Sequence, residues 1–257
     1  MSGPLLLCAI IRDCPRQAVE RPGSIASSDA RSGRPRPHFP KTARSEGSNV
    51  DREFLQAQLE HGLEILRLRL ADAAIRRLLD YLDLLVRWNA AYNLTAVRDP
   101  AQMVPRHLLD SLAVLPFVRG GTLADLGSGA GLPGIPLAIA RPALEATLVD
   151  SNGKKARFLR EAARALPLPN VRVAQVRAQE TEGTFDCITA RAFASLGEML
   201  EWGGHALAPE GAWLAMKGRL EESELAQLPP GFRVAAVHRL RIPDLDADRH
   251  LVEIRRA

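Results

Sequence analysis

The stretch Leu123-Ala124-Asp125-Leu126-Gly127-Ser128-Gly129-Ala130-Gly131-Leu132-Pro133-Gly134 joins a short apolar run to a glycine-rich turn and then to a segment of helical length. Glycines at such positions permit positive φ and let a ligand approach the backbone closely. A second apolar run, residues 146–149, ends at Asp150, twenty-five positions after Asp125. A carboxylate there can accept hydrogen bonds from both hydroxyls of a ribose, as the acidic residue does in nucleotide-binding crossover folds.

Working outward, short apolar runs at 122–126, 146–149, 171–176, 185–190 and 212–216 alternate with segments of helical length at 133–141, 154–166 and 196–207. That alternation predicts an α/β fold of Rossmann-like type, with a mainly parallel sheet covered by helices on both faces. Two last runs, 232–242 and 250–254, are separated by a short polar connection and predict a closing antiparallel edge. Upstream, Leu55, Leu59, Leu63, Leu66 and Leu70 recur at helical spacing, followed by a stripe of Ile75, Leu78, Leu79, Leu82, Leu85 and Val86. The opposite face, Arg76, Arg77, Asp80, Asp83 and Arg87, mixes both signs as a solvated face does. Asp99-Pro100 reads as an N-cap and first helical residue, and Met103, Leu108, Leu112 and Leu115 extend a third helix toward Pro116. The expected organisation is an extension over 1–50, a helical cap over 51–118 and a ligand-binding domain over 119–257.

Two cofactors compete for the glycine turn, because Gly129, Gly131 and Gly134 also satisfy the dinucleotide pattern G-x-G-x-x-G. In a dinucleotide fold the first glycine follows the strand directly, whereas here Asp125-Leu126-Gly127 comes first. An acidic residue beside the turn repels a pyrophosphate and suits the sulfonium and ammonium of S-adenosylmethionine. That cofactor is therefore expected rather than NAD, which would make the protein an oxidoreductase.

The chain has 257 residues and a net charge of +4, ordinarily a hint of nucleic acid. The first fifty residues hold 8 of the 34 basic and 4 of the 30 acidic residues, which leaves 26 of each in 51–257. Net charge thus says nothing about the folded region. Residues 1–49 carry six prolines and four glycines without helical or alternating period, so no core is expected there. Val50, at the composition break, is a candidate start residue, which mass spectrometry of the natural N-terminus would test. No apolar stretch approaches the ~20 residues of a membrane span, and no basic residue precedes the short apolar run 5–11 as it would in a secretion signal. Three cysteines make no disulfide framework, Cys8 and Cys14 lack metal-ligand spacing, and Cys187 in an apolar run reads as a small buried hydrophobe. No metal site is expected, and the expected compartment is the cytoplasm.

Several segments in order carry a specific resemblance: Trp88-Asn89 to Asn93-Leu94-Thr95, Arg106-His107-Leu108-Leu109-Asp110-Ser111, Asp125 to Leu137, Arg191-Ala192-Phe193-Ala194, Lys217-Gly218 and Arg249-His250-Leu251-Val252. Together they resemble the ribosomal small-subunit methyltransferase G, or GidB, family over about residues 60–257. The resemblance implies a class I methyltransferase that moves a methyl group from S-adenosylmethionine to nitrogen-7 of one guanine in 16S rRNA near the decoding region. Its implied substrate is 16S rRNA or an assembling small subunit, with the protein acting as a monomer. It implies that Gly127 and Leu132 line the methionine and adenosine side of the pocket, that Ala178 and Gln179 flank the adenine, and that Arg191 contacts the cofactor. The family usually has glutamate where this chain has Gln179. Nitrogen-7 offers a free lone pair, so no proton need be removed and positioning can dominate catalysis. Consistently, Ala190-Arg191-Ala192-Phe193 replaces the Asn/Asp-Pro-Pro-Tyr segment used on exocyclic amines, and no Pro-Cys nucleophile appears. No proton-transfer residue is expected.

The remaining candidates keep two readings each. Arg191 either holds the cofactor's carboxylate in a bidentate pair or forms a structural salt bridge. Lys217 and Arg219 either meet RNA phosphate or sit in a solvated loop. Arg106 and Asp110 are one helical turn apart and are expected to pair. His107 stacks on RNA or is a satisfied interfacial histidine, and Arg249 and His250 are open in the same way. A non-catalytic RNA-binding protein on the same fold is the other class of function.

Overall fold

In the computed structural model the described residues are 47–191 and 194–257, with side chains from Arg52 onward. The expected extension, apart from its last residues, and the pair Ala192-Phe193 lie outside them. The described residues belong to one compact unit. Among the described residues no helix is long and apolar enough to cross a membrane.

Helix α1 (Gly47–Ile65) starts within the stretch assigned to the extension, and α2 (Asp72–Tyr92) follows. The leucine pattern runs on to Leu70, but α1 stops at Ile65 because Arg67 turns left-handed at φ 56°. The amide of Leu68 then donates to the Leu63 carbonyl and that of Arg67 to Glu64, which satisfies the helix end. Leu66 and Leu70 still pack on the core from the turn.

The third cap helix is not continuous. After the Asp99 side chain caps the amide of Ala101, α3 (Pro100–Met103) gives way to a π turn over Val104–Leu109, then α4 (Asp110–Leu112) and a 3-10 turn over Leu115–Phe117. Pro105 has no N–H to donate and its ring displaces the carbonyl four residues back, so the ladder widens there.

The sheet holds seven strands in the order β3-β2-β1-β4-β5-β7-β6. Strands β1 (Thr122–Leu126), β2 (Glu145–Val149), β3 (Val171–Ala174), β4 (Phe185–Arg191) and β5 (Leu207–Lys217) run parallel. β7 (His250–Arg256) pairs antiparallel with β5 and with β6 (Phe232–Arg239), the expected closing edge. Crossovers are made by α5 (Gly134–Ala140), α6 (Gly153–Ala165) and α7 (Leu196–Gly203), while α8 (Glu222–Ala226) follows β5. Strand ends shift: the third and sixth stop short at Ala174 and Arg239, and the fifth starts early at Leu207.

Successive β1 side chains serve two cores: Leu123 packs with Leu137 and Ala138 of α5, Ala124 and Leu126 with Leu196, Met199 and Leu200 of α7. This two-sided burial is why the central strands read as continuous apolar runs. A third core joins the helical cap to Ile135, Ile139, Phe158 and Leu159 of α5 and α6. The cap thus shares its interior with the helices that flank the glycine turn. Cys187 lies fully buried in β4, with burial pushing its thiol up to about 12, and behaves as a small apolar side chain.

Candidate functional site

The turn after β1 takes φ of 68°, 59° and 88° at Gly127, Gly129 and Gly131, values that favour glycine. Gly134 opens α5 at a close approach: a Cβ there would lie 2.3 Å from Leu148 Cδ2 and 2.8 Å from Asp125 Oδ2.

Asp125 points inward. Its Oδ2 accepts from Ser128 Oγ (2.6 Å) and Gly134 N (3.0 Å), its Oδ1 from Thr189 Oγ1 (3.0 Å), and only 1% of the residue is exposed. The expectation that this carboxylate faces the cofactor's positive charges is corrected: it stitches strand, turn, helix and β4 together. Burial raises its pKa to about 6, against the opposing hydrogen bonds of Ser128, Gly134 and Thr189. An acid that binds its proton more tightly when folded favours the fold when protonated. That contribution is complete below about pH 4 and is lost as pH rises to about 6. Asp125→Asn can keep an oxygen on the Gly134 amide and turn its NH2 to the Thr189 hydroxyl. Denaturation midpoints measured from pH 4 to 8 are therefore expected to fall less with pH for the variant than for the wild type; parallel curves would contradict this assignment.

Asp150 behaves differently. It is 6% exposed, with Oδ2 accepting from Gly129 N (2.9 Å), Oδ1 from Asn152 N (2.8 Å), and Lys155 Nζ 3.8 Å from Oδ2. Each oxygen retains one lone-pair direction, enough for two further donors. Asp150 lines a cavity of about 420 Å³ together with Gly127, Asn152, Ala178, Gln179 and Trp202. Four of the six expected cofactor residues, Gly127, Asp150, Ala178 and Gln179, thus meet at the carboxyl ends of β1 and β2, where open α/β sheets take ligands. A buried carboxylate with two free acceptor directions and a backbone kept bare by glycine fit the ribose of S-adenosylmethionine. Asn152 caps α6 through the amides of Lys154 and Lys155, a signal readable in the sequence; Trp202, from α7, carried none.

The other two lie elsewhere. Leu132 is 5% exposed in the core shared with the cap and does not line this cavity. Arg191 ends β4 and uses Nη1 for Asp110 Oδ2 (3.1 Å) and the Arg106 carbonyl (3.3 Å). The structural salt bridge is thus formed through Nη1, and Nη2 has no partner among the described residues.

Asp110, 3% exposed at its side chain, is the residue sequence reasoning misplaced. It was expected to pair with Arg106, which instead bonds Gln102 at 3.4 Å. Asp110 bridges Arg191 and, through Oδ1, Nε of Arg249 at 3.0 Å. Burial pushes this carboxyl up while the two guanidiniums pull it back. The bridge ties the cap to β4 and to the start of β7. Nearby, Tyr81 from α2 donates to the Ala130 carbonyl at 2.6 Å, holding the glycine turn from the cap side.

Among the residues considered for RNA, His107 takes the interior one of its two readings: 3% exposed, its Nε2 2.8 Å from Thr95 Oγ1, its pKa lowered to about 4 by burial. Lys217 binds Glu224 (2.8 Å) and the Ala194 carbonyl, and Arg249 is held by Asp110. His250 Nδ1 lies 2.7 Å from the Gly218 carbonyl. Arg106 and Arg219 alone of the six are exposed.

Comparison with known proteins bears on the fold and on the family. The fold resembles mitomycin 7-O-methyltransferase MmcR, with a TM-score of 0.53 and 18% identity over 79% of this chain and 67% of that one. The ribosomal RNA small subunit methyltransferase G of Xanthomonas euvesicatoria is 56% identical over 204 residues, 79% of this chain and 95% of that protein. Its counterpart in Xylella fastidiosa is 56% identical over 202 residues, 78% of this chain and 94% of that protein. The family described as rRNA small subunit methyltransferase G matches residues 74–252, from α2 to β7, and so takes in the cap from α2 onward, the glycine turn and both ends of the Asp110 bridge. The chain belongs to that family.

Proposed function

We propose that this protein transfers the methyl group of S-adenosylmethionine to nitrogen-7 of a guanine in 16S rRNA near the decoding region, acting as a cytoplasmic monomer on RNA or an assembling subunit. The observation that carries the methyl-transfer reading is the cavity at the ends of β1 and β2, with Asp150 in it, inside a chain of this family. Bound there, the cofactor supplies an electrophilic methyl group on its sulfonium. Asp150 holds the ribose, Gly127 leaves the backbone open, and Gln179 accepts from the adenine amine. Arg191, whose Nη2 has no partner among the described residues, would supply the cation for the cofactor's carboxylate, and Leu132 backs the turn from the core.

The choice of nitrogen-7 is supported by what stands at the end of β4. Arg191 is ion-paired there, and both oxygens of Asp110 are taken by guanidiniums, so neither serves as a proton acceptor. Attack by a lone pair that carries no proton needs only orientation and exclusion of water. Chemical cleavage at 7-methylguanine in 16S rRNA from cells with and without the protein tests this. A cleavage site lost with the gene is the expected result; methyl transfer that leaves the RNA resistant to cleavage would reassign the target atom.

Gln179→Glu is expected to bind S-adenosylmethionine at least as tightly as the wild type, because a carboxylate strengthens the bond to the adenine amine. A large loss of affinity by calorimetry would remove Gln179 from the adenine.

A further inference from the structure

Over residues 51–257 charge balances, but it is not spread evenly. Residues 151–178 hold seven of the 26 basic residues and one acidic residue, Glu161, which leaves the rest of the folded region with a net charge of −6. This segment builds α6 and β3, and β3 is one of the two edge strands of the sheet. At 100° per residue, Lys154, Arg157, Arg160 and Arg164 share one face of α6, about 15 Å long. All four are exposed, while Ala156, Phe158, Leu159 and Ala162 are buried.

These charges are largely uncompensated. Lys154, Arg157 and the exposed Arg172 of β3 make no ion pair among the described residues, and Arg160 bonds only the neutral Gln175 amide at 3.2 Å. Some basic groups elsewhere are answered by carboxylates, Arg191 and Arg249 by Asp110, Lys217 by Glu224, Arg52 by Asp80 and Asp83; the exposed Arg69, Arg76 and Arg87 of the cap make no ion pair among the described residues, but they do not line the cofactor cavity. The basic edge also adjoins the cofactor cavity, since Asn152 at the cap of α6, Lys155 within it and Arg177 after β3 line it.

We propose that the α6–β3 edge is the surface on which the phosphate backbone of the RNA substrate docks beside the cofactor cavity, with Lys154, Arg157, Arg160 and Arg172 as its contacts. A row of unpaired cations on an otherwise acidic surface attracts a polyanion and orients it without reading bases. The proposal rests on the reading of small-subunit RNA as substrate.

The test compares two triple variants: Lys154→Gln with Arg157→Gln and Arg160→Gln on the basic edge, and Arg69→Gln with Arg76→Gln and Arg87→Gln on the cap. With 16S RNA or isolated small subunits as substrate, the edge variant is expected to raise KM for RNA at least tenfold. Its kcat at saturating RNA and its affinity for S-adenosylmethionine should stay within twofold of wild type. Its log–log dependence of KM on salt should flatten by about 2, at about 0.7 per lost phosphate contact on a single strand. The cap variant should match the wild type. A wild type that methylates no small-subunit RNA sinks the functional reading itself. An active wild type with an unaltered edge variant, or equal losses in both triples, overturns the docking surface.

Discussion

Asp150→Ala is expected to weaken S-adenosylmethionine binding by about 100-fold and to abolish methyl transfer at ordinary cofactor concentrations. Two charge-assisted hydrogen bonds are at stake, each worth about 1.5–3 kcal/mol, and about 1.4 kcal/mol corresponds to tenfold in affinity. The same carboxylate ties the Gly129 amide, so its removal also loosens the turn against which the ligand lies. Asp150→Asn is the sharper probe. Each carboxylate oxygen already faces a backbone N–H, from Gly129 or Asn152. An asparagine NH2 must oppose one of them in either orientation, so the isosteric variant is expected to lose most of the affinity too. Calorimetric titration of both variants checks this, alongside thermal unfolding without ligand. Tight binding by Asp150→Asn would mean that the ribose is held by other groups.

Much of the architecture is legible in the sequence because local and global signals agree. The central strands are buried on both faces and read as unbroken apolar runs, and the glycines of the turn stand where the backbone has φ near 60–90°. Asp150 is legible because it follows a strand directly. What local reading misses is direction and distance. Asp125 and Asp150 both end short parallel strands, yet one turns into the junction and the other into the cavity. The difference is made by Ser128, Gly134 and Thr189, which surround Asp125, and Thr189 lies 64 residues away. The rule of one helical turn offers Asp110 only Arg106, whereas its partners come 81 and 139 residues later. The π turn at Pro105 also resets the helical register just before Asp110, so facing residues cannot be read off a regular helix. Charge shows the converse. Its total is uninformative, and its distribution becomes a surface only once β3 is known to be an edge of the sheet.

The Asp110 bridge sets the second large effect. Asp110→Ala leaves two guanidiniums facing each other with their shared carboxylate gone, and is expected to cost about 3 kcal/mol of stability, the low end for breaking a buried pair because both arginines are a quarter exposed. Asp110→Asn keeps the shape and one acceptor and should cost less. If the loss comes from uncompensated charge rather than from a cavity, removing a charge should restore stability. Arg249→Met in the Asp110→Ala background is then expected to recover part of the deficit, although Arg249→Met alone destabilises the wild type. That sign reversal separates the two causes: a cavity deepens when a second side chain is trimmed, while a repulsion vanishes. Urea denaturation of the four proteins completes the cycle. Additive losses would show that the two arginines do not depend on Asp110, and the cap would then be held to the sheet by its apolar interface alone.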